Sequence, residues 1–334
     1  MFIVNSYFIA VILCVVTMIC WGSWGNTQKL AGKTWRYELF YWDYTIGILV
    51  FSLLMALTLG SYGEAGRSFL PDLAQADTAM LISAVIGGVI FNASNILLSA
   101  SVSMAGLAVA FPLGVGLALV LGVFINYFGA PKGDPVTLFI GVALIVIAVI
   151  LNGISASKNS QSSENKNTKK GIILAAVAGI LMSFFYRFVA AAMDLDNFEA
   201  PAVGKLTPYT AFFIFAVGIF LSNFIFNTIL MKKPFVGEPV GYSEYFKGSF
   251  GTHMVGIFGG VVWGLGTLLS YIAAGKAGAA ISYALGQGAP MIAAIWGIFI
   301  WKEFKGAPAS VNKYLTAMFL LFIVGLALIV VAGS

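Results

Sequence analysis

The sequence predicts an all-α membrane protein, ten transmembrane helices arranged as two inverted five-helix repeats. Three observations predict it. Of the 334 residues, 60% are hydrophobic and 9% charged, whereas a soluble chain carries roughly 25% charged residues. Apolar runs long enough to cross a bilayer recur along the whole chain. A glycine-rich stretch of the first half reappears, ungapped, in the second.

The spans are expected near 7–30, 38–60, 79–102, 105–128, 135–156, 170–193, 208–231, 252–275, 277–301 and 311–332. The first reads as a retained span rather than a signal peptide. Met1 to Tyr7 carries no basic residue, and the apolar run continues to Trp24, too far for a signal core. Uniform helical hydrophobicity argues against an outer-membrane barrel, whose strands alternate in short segments. Cys14 and Cys20 sit six apart on one helix, on different faces, and are not expected to bridge. The one polar, low-complexity stretch, SASKNSQSSENKNTKK from Ser155 to Lys170, marks the half-way point. The expected organisation is therefore a first repeat over 1–156, a flexible linker over 157–169 and a second repeat over 170–334.

Charge sets orientation. Lys29, Lys33, Arg36, Lys158, Lys166, Lys169, Lys170, Lys232, Lys233, Lys247, Lys302, Lys305 and Lys313 fall on one side of the spans. Arg67, Lys132, Lys205 and Lys276 fall on the other. The basic side is expected in the cytoplasm, so both termini face outward across a bacterial inner membrane. Net charge is +5, but it lies in loops between spans, which excludes nucleic acid as a partner. The bilayer, a small-molecule substrate and protons are the expected partners, for a monomer or homodimer.

The repeat is the strongest functional signal. GGVIFNASNILLSASVSMAGLAVAFPLGVG from Gly87 lies over GGVVWGLGTLLSYIAAGKAGAAISYALGQG from Gly259 at a constant offset. Gly87, Gly88, Gly106, Gly114 and Gly116 fall on Gly259, Gly260, Gly278, Gly286 and Gly288; Phe91 falls on Trp263 and Phe111 on Tyr283. Five spans per half is an odd number, so the second half enters the membrane with opposite polarity. That architecture supports alternating access around a midplane site. Gly256, Gly260 and Gly264 leave one side of the eighth span bare for close helix approach.

Candidate site residues are the polar and aromatic ones at mid-depth. Trp21, Trp24 and Asn26 stand on the first span, Asn92 and Asn95 on the third, Trp263 and Thr267 on the eighth, Tyr283 and Gln287 on the ninth. Amides donate to and accept from a neutral polar solute, and aromatic rings offer a stacking face. The site is expected between the first, third, fourth, sixth, eighth and ninth spans. Charges inside spans are costly and mark function. Asp43, in the apolar and aromatic run LFYWDYTIGIL, is the candidate proton-coupling residue, since desolvation disfavours its charged form. Arg187, in the outer part of the sixth span, is a further substrate-binding candidate or a snorkelling cation. His253, the one histidine, reads as an interfacial residue. No metal cluster, HExxH, GxSxG or Walker motif occurs. No enzyme activity and no cofactor are expected, and a gradient is the expected driving force.

These residues resemble the ureide permeases of the drug/metabolite transporter superfamily. The resemblance lies in WGSWGN, the Asp43–Tyr44 pair, KLTPYTAFFIFAVGIFLSNFIFN, the segment Tyr245 to Gly248, and GGVVWGLGTLLSYIAAGKAGAAISYALGQGAPMIAAIWGIFIWKEFKG. The chain is also similar to glucose/ribose porters and, more distantly, to the rhamnose–proton symporter. The resemblance implies import of small neutral polar solutes, ureide or nucleobase-like, commonly with protons. A monosaccharide porter and a drug or metabolite exporter are the alternatives. The short central loop and Arg187 depart from the plant pattern.

Overall fold

A computed structural model describes residues 1–32, 35–159, 166–302 and 304–334. Among them ten helices are long and apolar enough to cross a membrane: Tyr7–Ala31, Tyr37–Leu57, Thr78–Ala105, Val109–Gly129, Pro135–Ser155, Asn167–Ala192, Pro208–Lys232, Phe250–Ala277, Ala279–Ile300 and Ala309–Ala332. Below they are the first to tenth spans. The only β-pairing among the described residues is an isolated bridge between Met193 and Leu206. One end of the bundle, the terminal end, holds both chain termini. The other, the linker end, holds the connection between the fifth and sixth spans.

Helix continues to Asn159 and resumes at Lys166. Ser160 lies outside the described residues.

The spans pack in a pattern that maps onto itself when the first five are exchanged with the last five. The third span packs on the sixth and seventh, as the eighth packs on the first and second. The fourth packs on the sixth, as the ninth packs on the first. The fifth–tenth and second–seventh contacts are their own counterparts. Glycines make the closest crossings. A Cβ on Gly260 would collide with the Tyr44 carbonyl beside Gly47, and one on Gly88 with the Phe215 carbonyl beside Gly218. Gly106, between the third and fourth spans, has φ 81° and ψ 162°. Gly278, between the eighth and ninth, has φ 82° and ψ 157°. Side chains exclude that conformation, so both hairpin corners require glycine.

The ninth span is broken midway. Helix runs over Ala279–Gly286, stops at Gln287 and Gly288, resumes over Ala289–Ile295 and ends in a π-turn over Trp296–Ile300. Pro290 has no N–H to continue the ladder, and two flanking glycines weaken it further. The π-turn aims two tryptophans at the first span: Trp296 Nε1 donates to Ser23 Oγ at 2.9 Å and Trp301 Nε1 to Asn26 Oδ1 at 2.6 Å.

Candidate functional site

The break at Gln287 faces a small central chamber of about 20 Å³, room for about one water. Its walls come from the six spans named above. Trp21 and Trp24 stand on the first, Asn95 and Leu98 on the third, Phe111 on the fourth, Met182 and Phe185 on the sixth, Trp263 on the eighth, and Gln287 and Ala289 on the ninth. Aromatic rings form one wall. Trp263 stacks on Phe91 with centroids 4.2 Å apart and planes 28° from parallel, and on Trp21 at 6.2 Å and 11°. Trp24 tilts against Tyr44 and Phe111. The polar groups are amides. Asn95 Nδ2 donates to the Tyr41 hydroxyl at 3.2 Å, which fixes the amide plane and directs the carbonyl oxygen elsewhere. Gln287 sits where the interrupted ladder brings a polar side chain into an otherwise apolar wall.

Of the candidates read from sequence, Trp21, Trp24, Asn95, Trp263 and Gln287 meet at this chamber. The other five do not line it. Thr267 stands behind it, accepting from Trp21 Nε1 at 3.1 Å while donating to the Trp263 carbonyl at 3.0 Å, so it orients a wall residue. Tyr283 packs over Gly122 and donates to the Ala118 carbonyl at 2.9 Å. Asn92 turns to the seventh span and donates to Ser222 Oγ at 2.9 Å. Asn92 and Asn95, three apart, stand about 60° short of a full turn from each other, enough to meet different neighbours. Asn26 lies towards the linker end, engaged by Trp301 and by the Ser23 carbonyl. Arg187 lies along Gly129 at the terminal end of the fourth span. Phe91 and Phe185 were missed as wall residues; the repeat register, which laid Phe91 on Trp263, was the signal for the first.

A second polar cluster surrounds Asp43. The sequence placed this carboxylate on an apolar helix face. The structure adds partners that come from outside that helix. The Tyr245 hydroxyl donates to Oδ1 at 2.6 Å, His253 Nδ1 lies 2.8 Å from the same oxygen, and Trp35 Nε1 donates to Oδ2 at 3.2 Å. His253 is thus an Asp43 partner rather than a free interfacial residue, its side chain 21% exposed against 1% for the carboxylate. Its ring is edge-on to Trp35 at 5.2 Å and to Tyr245 at 4.7 Å. Gly256 lets the Asp43 side chain lie against the eighth span. Burial, and then the adjoining Asp43 carboxylate, push the Tyr245 phenol above its ordinary range, so it remains a donor.

Trp35 also lines an open cleft of about 670 Å³ at the linker end, with Gln28, Lys29, Arg36 and Glu38 among its walls. Arg36 grips Glu38 through Nε at 3.2 Å and a terminal nitrogen at 2.7 Å. At the terminal end, Asp72 is buried. It pairs with Arg67 Nε at 3.2 Å and accepts from the Thr207 N–H at 2.8 Å.

Ten spans around a chamber of stacked rings and amides define a multi-pass membrane transporter of small metabolites. The chain belongs to the ureide permease family, which it matches over residues 40–170 and 158–332, in line with its motifs. The family is one of permeases, and the chain is not an enzyme. It is 24% identical over 388 residues to "Ureide permease 1" of Arabidopsis thaliana, covering 100% of this chain and 99% of that protein. It is 24% identical over 331 residues to "Probable glucose uptake protein GlcU" of Priestia megaterium, covering 97% and 96%. A solved crystal structure at 16% identity shares the fold with a TM-score of 0.62 over 97% of both chains.

Proposed function

We propose that this transporter imports a small neutral polar metabolite, ureide or nucleobase-like, by proton symport with alternating access between two inverted five-helix halves. The observation that carries the substrate class is the chamber: Trp263 stacked on Phe91, with the amides of Asn95 and Gln287 on the facing spans. A flat ring stacks on the indole, and N–H and C=O edges match primary amides, which donate and accept. No charged side chain stands on the wall, which disfavours an ionic substrate. The exchange symmetry of the packing and the paired conformations of Gly106 and Gly278 support the inverted halves. The Lys/Arg asymmetry supports a cytoplasmic linker end and outward termini, in a bacterial inner membrane. A monosaccharide is the second reading, favoured by the resemblance to the Priestia megaterium protein; a sugar also presents one apolar face to a tryptophan.

A room-for-one-water chamber cannot hold either solute as it stands, so the spans must part. This is the closed step of an alternating-access cycle. Coupling falls to Asp43. Its cage joins the second span (Asp43), the eighth span (His253) and the connection before it (Tyr245), so adding a proton changes the hydrogen bonds between elements that move relative to one another. Purified protein should melt higher with its substrate present, and a panel of ureides, nucleobases and monosaccharides separates the two readings. In proteoliposomes under an imposed pH gradient, Asp43→Asn should abolish concentrative uptake while sparing substrate binding and counterflow exchange. Wild-type dependence on the gradient in the Asn variant would remove Asp43 as the proton site.

A further inference from the structure

We infer that Gln28 and Ser99 form the gate through which substrate passes between the central chamber and the linker-end cleft. The inference rests on the chamber being the substrate site. The two side chains are bonded reciprocally: Gln28 Nε2 donates to the Ser99 carbonyl at 3.0 Å, and Ser99 Oγ donates to Gln28 Oε1 at 2.8 Å. Both are buried. They join the first span to the third, two of the spans that wall the chamber.

Position makes this pair a gate rather than ordinary interhelical glue. Along the first span the order is Trp24 on the chamber, Gln28 one turn on, then Gly32 on the cleft. Along the third span the order is Asn95 on the chamber, Ser99 one turn on, then Val102 and Ser103 on the cleft. Gln28 itself lines the cleft. From Asn95 to Val102 is seven residues, about 10 Å of helix at ~1.5 Å per residue. Toward the terminal end a cavity of about 150 Å³ is lined by Gly275 on the eighth span. That is twelve residues, about 18 Å, beyond Trp263 on the eighth span. Between them lie Tyr186, Tyr271 and Tyr283, all fully buried. The short barrier is the polar one.

Its chemistry suits the proposed solute. An amide and a hydroxyl hold the gate shut with hydrogen bonds that a neutral polar molecule replaces as it passes, so no partner is left unsatisfied midway. An apolar molecule offers no such exchange. The gate therefore adds selectivity to the chamber's own.

The test uses accessibility, which needs no substrate. In a background with Cys14→Ala and Cys20→Ala, Ala289→Cys reports the chamber and Val236→Cys the cleft. An impermeant thiol reagent is applied to sealed vesicles on the face that labels Val236→Cys. Adding Gln28→Ala should raise the modification rate at Ala289→Cys about tenfold. Ser99→Ala, which keeps the bond to the Ser99 carbonyl, should raise it by a smaller factor. Unchanged rates in both overturn the gate. In the same background, Gln28→Cys/Ser99→Cys joined by a short bifunctional thiol reagent should lose uptake and regain it on reduction, each protein serving as its own folding control. Raised access at Ala289→Cys together with full uptake after complete cross-linking would instead show that the chamber is not the substrate path, and the proposal falls with that reading.

Discussion

At the linker end the chamber is closed by one amide and one hydroxyl, with the Asp43 cage beside them and open cleft beyond. At the terminal end it is closed by rings and fully buried hydroxyl hydrogen bonds: Tyr186 bonds Ser270 at 2.9 Å and Ser282 at 3.2 Å, and Ser282 donates to the Ser270 carbonyl at 2.7 Å. Beyond those rings, Arg67 and Asp72 fasten the loop after the second span to the start of the seventh. The halves match in which helices touch, yet the two closures differ in material. One uses groups that exchange their bonds with a solute, a proton or water. The other uses packed aromatic volume, which opens only when whole spans move. On the proposed alternating-access reading, the linker end is the one nearer to opening.

The comparison breaks most easily at Asp72. Asp72→Ala removes the carboxylate that pairs with Arg67 Nε and accepts from the Thr207 N–H. It should cost about 3 kcal/mol, the low end for a broken buried pair because Arg67 is partly exposed. Thermal unfolding in detergent measures it; an unshifted midpoint would mean the terminal end is no firmer than the other. Next come the paired glycine crossings. Gly88→Ala and Gly260→Ala each force a methyl onto a facing carbonyl and should each cost about 2 kcal/mol. The two losses should be similar, since the crossings are counterparts. A loss confined to one variant would break the equivalence of the halves and leave the contrast between ends without its symmetric background. The smallest effect sharpens the contrast. Tyr186→Phe removes one hydroxyl but no ring volume, and Ser282 keeps its bond to Ser270. It should cost about 1 kcal/mol and leave Ala289→Cys as inaccessible from the terminal face as before, whereas Gln28→Ala opens the opposite face.

Much of the fold was legible because hydrophobic run length is set by bilayer thickness, and that signal is local. All ten spans lie within a few residues of their expected bounds. The chamber was legible in part for a related reason. The repeat register shows which segments hold equivalent places in the two halves, and it laid Trp263 over Phe91 on the span carrying Asn95. What periodicity cannot give is the partner across a helix gap. His253 reaches Asp43 over 210 residues and Tyr245 over 202. Sequence spacing shows only the neighbours on Asp43's own helix, and those are apolar. The same limit hid Ser222 from Asn92 and Trp301 from Asn26. Gln28 and Ser99 were unremarkable as residue types; only their place between two cavities distinguishes them.

The eighth span carries His253 at one station and Trp263 ten residues on, about 15 Å along a single unbroken helix. On the proposed reading, a proton on Asp43, whose cage includes His253, and a solute at Trp263 would act on the same rigid rod. Under symport, thermodynamic reciprocity then binds the two equilibria: the factor by which protonation tightens substrate binding is the factor by which substrate raises the proton affinity of the cage. A titration of either ligand, repeated across concentrations of the other, reads one coupling constant from two sides.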